Sequence, residues 1–371
     1  MTAWKTGELG EFITLKRGYD LPQQKRKNGS VPIFSSSGIS GTHDAAMVKA
    51  PGVITGRYGT IGQVFMADED FWPLNTTLYV EDFHGNNPRF IYYFLKTLGW
   101  EKFTSASAVP GINRNTVHKE TICLPDIATQ DKIASVLTTL DDKIEINEKI
   151  NDNLEQQAQA LFQELFIENA DPEWREGTIS DLGTVVGGST PSKSKPEYYT
   201  EHGIAWITPK DLSVNKSKFV THGENDITEL GLKNSSASIM PEGTVLFSSR
   251  APIGYIAIAA GEVTTNQGFK SVIPRPAIGT PFVYYFLKNA LPTIEGMASG
   301  STFKEVSGST MKIVPAFIPD DETLARFTEF CSPIFEQQQM LERQNQSLAA
   351  LRDSLLPKLM SGEIDVSDVS I

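Results

Sequence analysis

The sequence predicts an α+β chain of two repeated β-rich modules separated by a long antiparallel helix pair, with pseudo-twofold symmetry. Three observations carry this expectation. The chain repeats itself at about 192 residues; each repeat holds short β-branched or aromatic runs broken by Gly, Pro, Ser and Asn; and each ends in a long apolar stripe of helical period.

The repeat is legible residue by residue. FIYYFLK at 90–96 returns as FVYYFLK at 282–288. PGVITGRYGTIGQV (51–64) aligns with PEGTVLFSSRAPIGYI (241–256), which sets Arg57 opposite Arg250 and Ile61-Gly62 opposite Ile253-Gly254, and Asn75 then pairs with Asn266. LEQQAQALFQELF (154–166) runs alongside LAALRDSLLPKLM (348–360). Shifts of 191 to 194 are expected from end to end, with small loop insertions. GVITGR, GQVFMA, TVLFSS and IAIAAGEV read as strands.

Helix signals follow each module. From Ile133, alternating steps of four and three visit Ile133, Leu137, Leu140, Ile144, Asn147, Asn151, Leu154, Ala158, Leu161 and Leu165, an a/d seam with two polar interruptions. A start near Thr129 and a stop before Asn169 give about 38 residues, or about 57 Å. The second copy places Leu341, Leu348 and Leu355 one heptad apart, with Asn345 and Arg352 between them. Pro333 is expected to interrupt it, leaving a separate turn or short helix before Cys331. A lone stripe cannot stay in water, and the nearest complementary stripe is the other copy, so the two helices are expected to pair. The expected boundaries are 1–125, 126–169, 170–319 and 320–371.

Composition and motifs exclude much chemistry. With 371 residues, 40% hydrophobic and 21% charged, the chain is globular rather than disordered. It shows neither an apolar run of about 20 residues nor a signal-peptide start, so the expectation is cytoplasmic. Cys123 and Cys331 are expected to be small buried apolar residues. His43, His84, His118, His202 and His222 lack metal-ligand spacing. Gly56-Arg-Tyr-Gly59-Thr-Ile-Gly62 lacks the GxxxxGK[ST] of a phosphate loop and reads as hairpin or bulge glycines. Ser248 and Ser249 lack a nucleophile elbow, and the acids around Asp211 (Glu224, Asp226) have no equivalent set in the first module. No catalytic, metal or cofactor site is expected in this chain.

Charge is segregated. The net charge is -12, yet 1–125 holds 13 Lys+Arg against 11 Asp+Glu and 169–319 holds 13 against 14. The acid sits in 126–168, with 3 against 10, and in 320–371, with 4 against 10. The nearly neutral modules therefore remain open to an anionic partner. Their loops collect the side chains that grip phosphates and base edges. In the first module the candidates are Lys16, Arg17, Lys25, Arg26, Lys27, Ser36, Arg57, Tyr58, Asn113 and Arg114. In the second they are Lys193, Lys195, Lys210, Lys216, Lys218, Arg250, Gln267, Ser301 and Lys304.

Four long segments then carry a resemblance: GGSTPSKSKPEYYTEHGIAWITPKDLS (187–213), SSRAPIGYIAIAAGEVTTNQGFKSVIP (248–274), LPDIATQDKIASVLTTLDDKIEINEKINDNLEQQAQALFQELF (124–166) and LRDSLLPKLMSGEI (351–364). Over essentially its whole length the chain resembles the DNA specificity subunit of type I restriction-modification systems. The resemblance implies two target-recognition domains that each read half of a split duplex site, with two helices acting as ruler and as docking site for methyltransferase (modification) subunits. It implies no catalysis by this chain: S-adenosylmethionine, ATP and Mg belong to the modification and restriction/translocase partners. The first module departs by carrying VPIFSSSGISGTHD in place of TPSKSKPEYY and WITPKD, so the halves are expected to read different sequences. Residues 321–331 depart from the better-matched 130–140. The competing readings are a protein scaffold or adhesin with two ligand-binding β modules, and a self-sufficient nuclease or methyltransferase.

Overall fold

Each module opens on a capping box. Glu8 and Glu11 close the start of the helix Leu9–Phe12, and Thr178 and Asp181 close that of Ile179–Leu182, each satisfying amides that a helix start leaves unpaired. The computed structural model, which describes residues 4–104, 111–300 and 304–369, divides into two compact units, Met1–Glu145 with Gln346–Ile371, and Ile146–Asn345. Each long helix is thus shared out between the units.

The two units repeat one topology. An antiparallel ribbon (Trp4–Glu8 with Thr121–Pro125; Arg175–Thr178 with Pro315–Ile318) flanks a main sheet. That sheet runs Thr14–Arg17, Thr77–Asp82, Gly52–Gly56, Val64–Ala67 in the first unit and Gly183–Gly187, Lys270–Pro274, Val245–Ser249, Ile253–Ala259 in the second, where Phe219–Val220 adds a parallel edge. The strands Gly52–Gly56 and Val245–Ser249 are buried throughout, as strands covered on both faces must be. The YYFLK motif lies on the helices Pro88–Lys96 and Thr280–Gly296, which bury Phe90, Tyr93 and Leu95, or Phe282, Tyr285 and Leu287.

Hydrogen bonds correct the repeat in two ways. First, the opening elements match at a shift of 170 (Glu8 to Thr178), so the end-to-end range of 191 to 194 does not hold. The second module carries extra chain between Gly183–Gly187 and Val245–Ser249, where the first has only the hairpin Val31–Ser35/Gly38–His43 and short pieces. Second, Arg57 N donates to Thr76 O and Ser249 N to Gly268 O, while Ile112 N donates to Arg57 O and Val306 N to Ser249 O. Arg57 therefore corresponds to Ser249, and Arg250 to Tyr58. Gly59 and Ala251 agree, both having positive φ at the same shift of 192. The aligned arginines were one residue out of step, which along a strand is a change of face.

The helices Ile127–Gln163 and Asp321–Ser361 pair antiparallel within each unit. In the first, the Arg352 guanidinium donates to Asp141 at 2.7 Å. In the second, Asn147, 0% exposed, donates to Gln344 (2.8 Å) and Asn345 (2.7 Å), and Gln338 donates to the carbonyl of Asn151. The amide of Asn147 thus meets polar side chains of the other helix, while the side-chain oxygens of Asn147 and Asn151 are buried without a hydrogen-bond partner among the described residues. Ile133, Leu137 and Asn147 are buried and Leu140, Ile144, Asn151, Leu154 and Leu161 half-buried, while the intervening positions 142, 143, 145, 146, 148, 149, 152 and 153 are exposed. Opposite them Leu341 is buried and Leu348 and Leu355 half-buried. The helices also enter the module cores. Ile133 and Leu137 pack with Leu9, Phe90 and Tyr93, whereas Ala158, Phe162 and Phe166 pack with Phe282, Tyr285 and Phe327.

Two more expectations fail. The second helix continues through Pro333, because the proline ring sits on the exposed face while Phe327, Cys331, Ile334 and Phe335 on either side are held in one core. That burial offsets the roughly 3 kcal/mol of an interior proline. Cys331 is buried, but Cys123 is exposed: on the strand Thr121–Pro125 the residues Ile122 and Leu124 point inward, so period two turns Cys123 outward.

Candidate nucleic-acid interface

The first unit gathers five of its ten candidates around one cleft of about 340 Å³ lined by Lys16, Arg17, Arg57, Leu78, Asn113, Arg114 and Asn115. Lys16 and Arg17 lie on the strand Thr14–Arg17; Arg57 leaves the end of Gly52–Gly56; and Asn113, whose side chain accepts from Asn115 N, caps the helix Arg114–His118. Lys16 is paired with Glu81 at 2.5 Å and Arg17 with Asp20 at 3.5 Å, while Arg57 rests on Tyr58, 4.5 Å from its ring centroid, and donates to Ile112 O. The lining itself carries four cations, two amides and no acid.

The other first-module candidates lie elsewhere. Arg26 donates to Ser40 O on the hairpin, Lys27 faces Asp44 at 3.4 Å, Lys25 is exposed, and Ser36 sits half-buried in the hairpin turn. The glycine string is the Gly52–Gly56/Val64–Ala67 hairpin loop, with Gly59 and Gly62 at positive φ.

The second unit spreads its candidates over two clefts. One, of about 480 Å³, brings together Lys193, Lys210, Arg250 and Gln267 with Asn225, Asn266 and Glu224. The other, of about 610 Å³, joins Arg250 and Lys304 with Glu295 and Glu305. Acid is built in here: Lys210 pairs with Glu224 at 2.6 Å, and Glu305 lies 3.5 Å from Arg250 and 3.8 Å from Lys270. Lys195 faces Glu197 at 3.7 Å, and Lys216 lies over the Tyr255 ring, 4.9 Å from its centroid. Ser301 lies outside the described residues. Asp211 caps the helix Pro209–Val214 through Thr208 and accepts from Glu224 N, a structural use of that carboxylate.

Lys218 is the clear correction. It is 8% exposed, and its ammonium donates to Glu155 (2.8 Å), Gln338 (2.9 Å) and Tyr285 (3.2 Å), 3.6 Å from the Phe335 ring centroid. Tyr285 OH and Lys288 also donate to Glu155, and Glu342 accepts the backbone amides of Lys218 and Phe219. Burial alone would raise the Glu155 carboxyl, but Lys218 and Lys288 hold it down at about 2, while burial brings the Lys218 amine down to about 8. Lys218 thus fastens the edge strand Phe219–Val220 to both helices and faces no ligand.

Sequence reasoning also missed residues that complete these surfaces. Asn225 lines the second unit's cleft, and Lys270 and Glu305 flank Arg250. Lys270 stands where the first module has Leu78, a half-buried cation at the start of the strand Lys270–Pro274.

Comparison with known proteins decides the family. The family described as Type I restriction modification DNA specificity domain matches residues 1–156 and 172–352, one match per module with its helix. The chain belongs to this family. DNA-target recognition is the family role. The chain is 39% identical to the type I restriction enzyme MjaIX specificity subunit of Methanocaldococcus jannaschii over 189 residues, 50% of this chain but only 44% of that relative. It is 26% identical to the HindI specificity subunit of Haemophilus influenzae across 75% of this chain and 77% of that one. Its fold is similar to the crystal structure of a type I restriction-modification system S subunit from M. genitalium, with a TM-score of 0.63, 19% identity and 96% of each chain covered. No helix among the described residues is long and apolar enough to cross a membrane.

Proposed function

We propose that this chain is a non-catalytic DNA reader in which each module grips one half of a split duplex site through its polar clefts. The observation that supports this most directly is the cleft lined by Lys16, Arg17, Arg57 and Arg114 with two adjacent amides, in which Arg57 and Arg114 are held by no carboxylate in the lining, in a chain whose family match covers both modules. Guanidinium groups suit phosphates and guanine edges, and amides suit adenine, so such a lining combines positioning with readout. In the same reading the acidic helices dock two methyltransferase subunits and, through them, restriction/translocase subunits. S-adenosylmethionine, ATP and Mg are held by those partners, and the assembly works in the cytoplasm.

The test is the affinity of the full chain for duplex DNA as a function of salt. Log affinity is expected to fall linearly with log salt, by nearly one unit per phosphate neutralised. An affinity indifferent to salt, or none, would overturn the reading.

A further inference from the structure

The corrected register brings one pair of amide side chains to the same place in the two modules. Tyr19 N donates to Pro73 O and Ser189 N to Thr265 O; Thr77 N donates to Leu74 O and Phe269 N to Asn266 O; Arg57 N and Ser249 N reach Thr76 O and Gly268 O. Asn75 lies between Leu74 and Thr76, and Gln267 between Asn266 and Gly268, so Asn75 corresponds to Gln267 and not to Asn266. Their backbones are pinned alike, since Gly18 and Gly188 lie so close to the carbonyls of Leu74 and Asn266 that an added Cβ would sit 2.1 and 1.9 Å from them.

The side chains are held alike as well. Asn75 Nδ2 donates to the Asp20 carboxylate, and Gln267 Oε1 accepts from the Thr190 hydroxyl. Asp20 and Thr190 are themselves equivalent at the shift of 170. The true partner of Asn266 is the apolar Leu74, and the Asn266 side-chain oxygen accepts from Gly268 N. An amide facing outward therefore recurs at this position while its neighbours differ. Arg17 pairs with Asp20, the partner of Asn75, and Lys193, Lys210 and Arg250 share a cleft with Gln267.

We infer that Asn75 and Gln267 are the base-reading amides of the two modules, each pre-oriented by its short-range partner to meet one adenine edge in the major groove. This inference rests on the DNA-reading function proposed above. An amide tied through one N–H still has a second N–H and its oxygen, and one tied through a single oxygen lone pair still has its NH2, so each can make the two-bond contact to adenine N7 and N6. Fixing the amide beforehand reduces the ordering cost of that contact.

The experiment selects bound sequences from a randomised duplex library with the full chain and with Asn75→Ala, Gln267→Ala, Asp20→Ala and Thr190→Ala. The wild type should enrich two separated half-sites. Asn75→Ala should lose the preference for adenine at one position of one half, and Gln267→Ala at one position of the other. Affinity for the selected duplex should fall about 5- to 150-fold, with binding to random duplex and the salt slope unchanged, which also shows that the variants fold. Asp20→Ala and Thr190→Ala should weaken the same preferences less. Intact preferences in the amide variants, or equal weakening on every sequence, would overturn the assignment while leaving DNA reading in place. Failure of the wild type to enrich anything would remove the DNA reading itself, and this inference with it.

Discussion

The first module ties its helices through Asp141 and Arg352 and leaves its cleft lining free of acid; the second ties its helices through Glu155 and the buried Lys218 and has acid in the lining of its clefts. Asp141 accepts from the buried Tyr93 OH at 2.6 Å and from Arg352, the two charged groups being partly open to solvent. The equivalent tyrosine, Tyr285, instead joins Glu155, Lys218, Lys288 and Gln338 in a buried cluster. Conversely, the first cleft has no acid in its lining, whereas Glu224, Glu295 and Glu305 line those of the second. One scaffold thus supports two divisions of its charge: a cation buried in an anchor, or cations left facing outward in a cleft.

The largest expected effect separates the anchors. Glu155→Ala strands Lys218 as a buried cation without its carboxylate and should cost about 3–5 kcal/mol in urea unfolding followed by circular dichroism. Asp141→Ala leaves Arg352 a route to water and should cost about 1–2 kcal/mol. Equal losses would break the contrast.

Acid sharpens it. The Glu155 pKa lies below its unfolded value, so its stabilisation is present above about pH 4.5 and fades as the pH falls toward 2. Melts from pH 6 to pH 2.5 should show this loss in the wild type, and Glu155→Gln should flatten it.

Smaller still is the contrast between clefts. Arg114→Ala should reduce the salt slope of DNA binding by about one, whereas Lys210→Ala, already neutralised by Glu224, should change it by less than half of that. Fluorescence anisotropy on one duplex at several salt concentrations measures both.

These contrasts also mark what was legible beforehand. The seam showed because a period of 3.5 over ten positions has few other causes, and the YYFLK repeat showed because both copies bury the same side chains. Lys218 was misjudged because a lysine between Ser217 and Phe219 looks like a loop cation; its burial depends on Glu155 and Gln338, distant in sequence. Arg57 and Arg250 were aligned by residue type, which outweighed the one-residue register that only the backbone hydrogen bonds reveal. The opening shift of 170 escaped notice because GELGEF and GTISDL share a capping function and only one residue, the leading glycine. The correspondence of Asn75 with Gln267 followed only once that register was corrected.

A hydroxyl-radical footprint of the full chain on a duplex it selects measures the claim that two modules read two places. The account predicts two protected tracts with an unprotected stretch between them, and Arg17→Ala with Arg114→Ala weakening one tract only. A single continuous tract, or both tracts fading together, would contradict it.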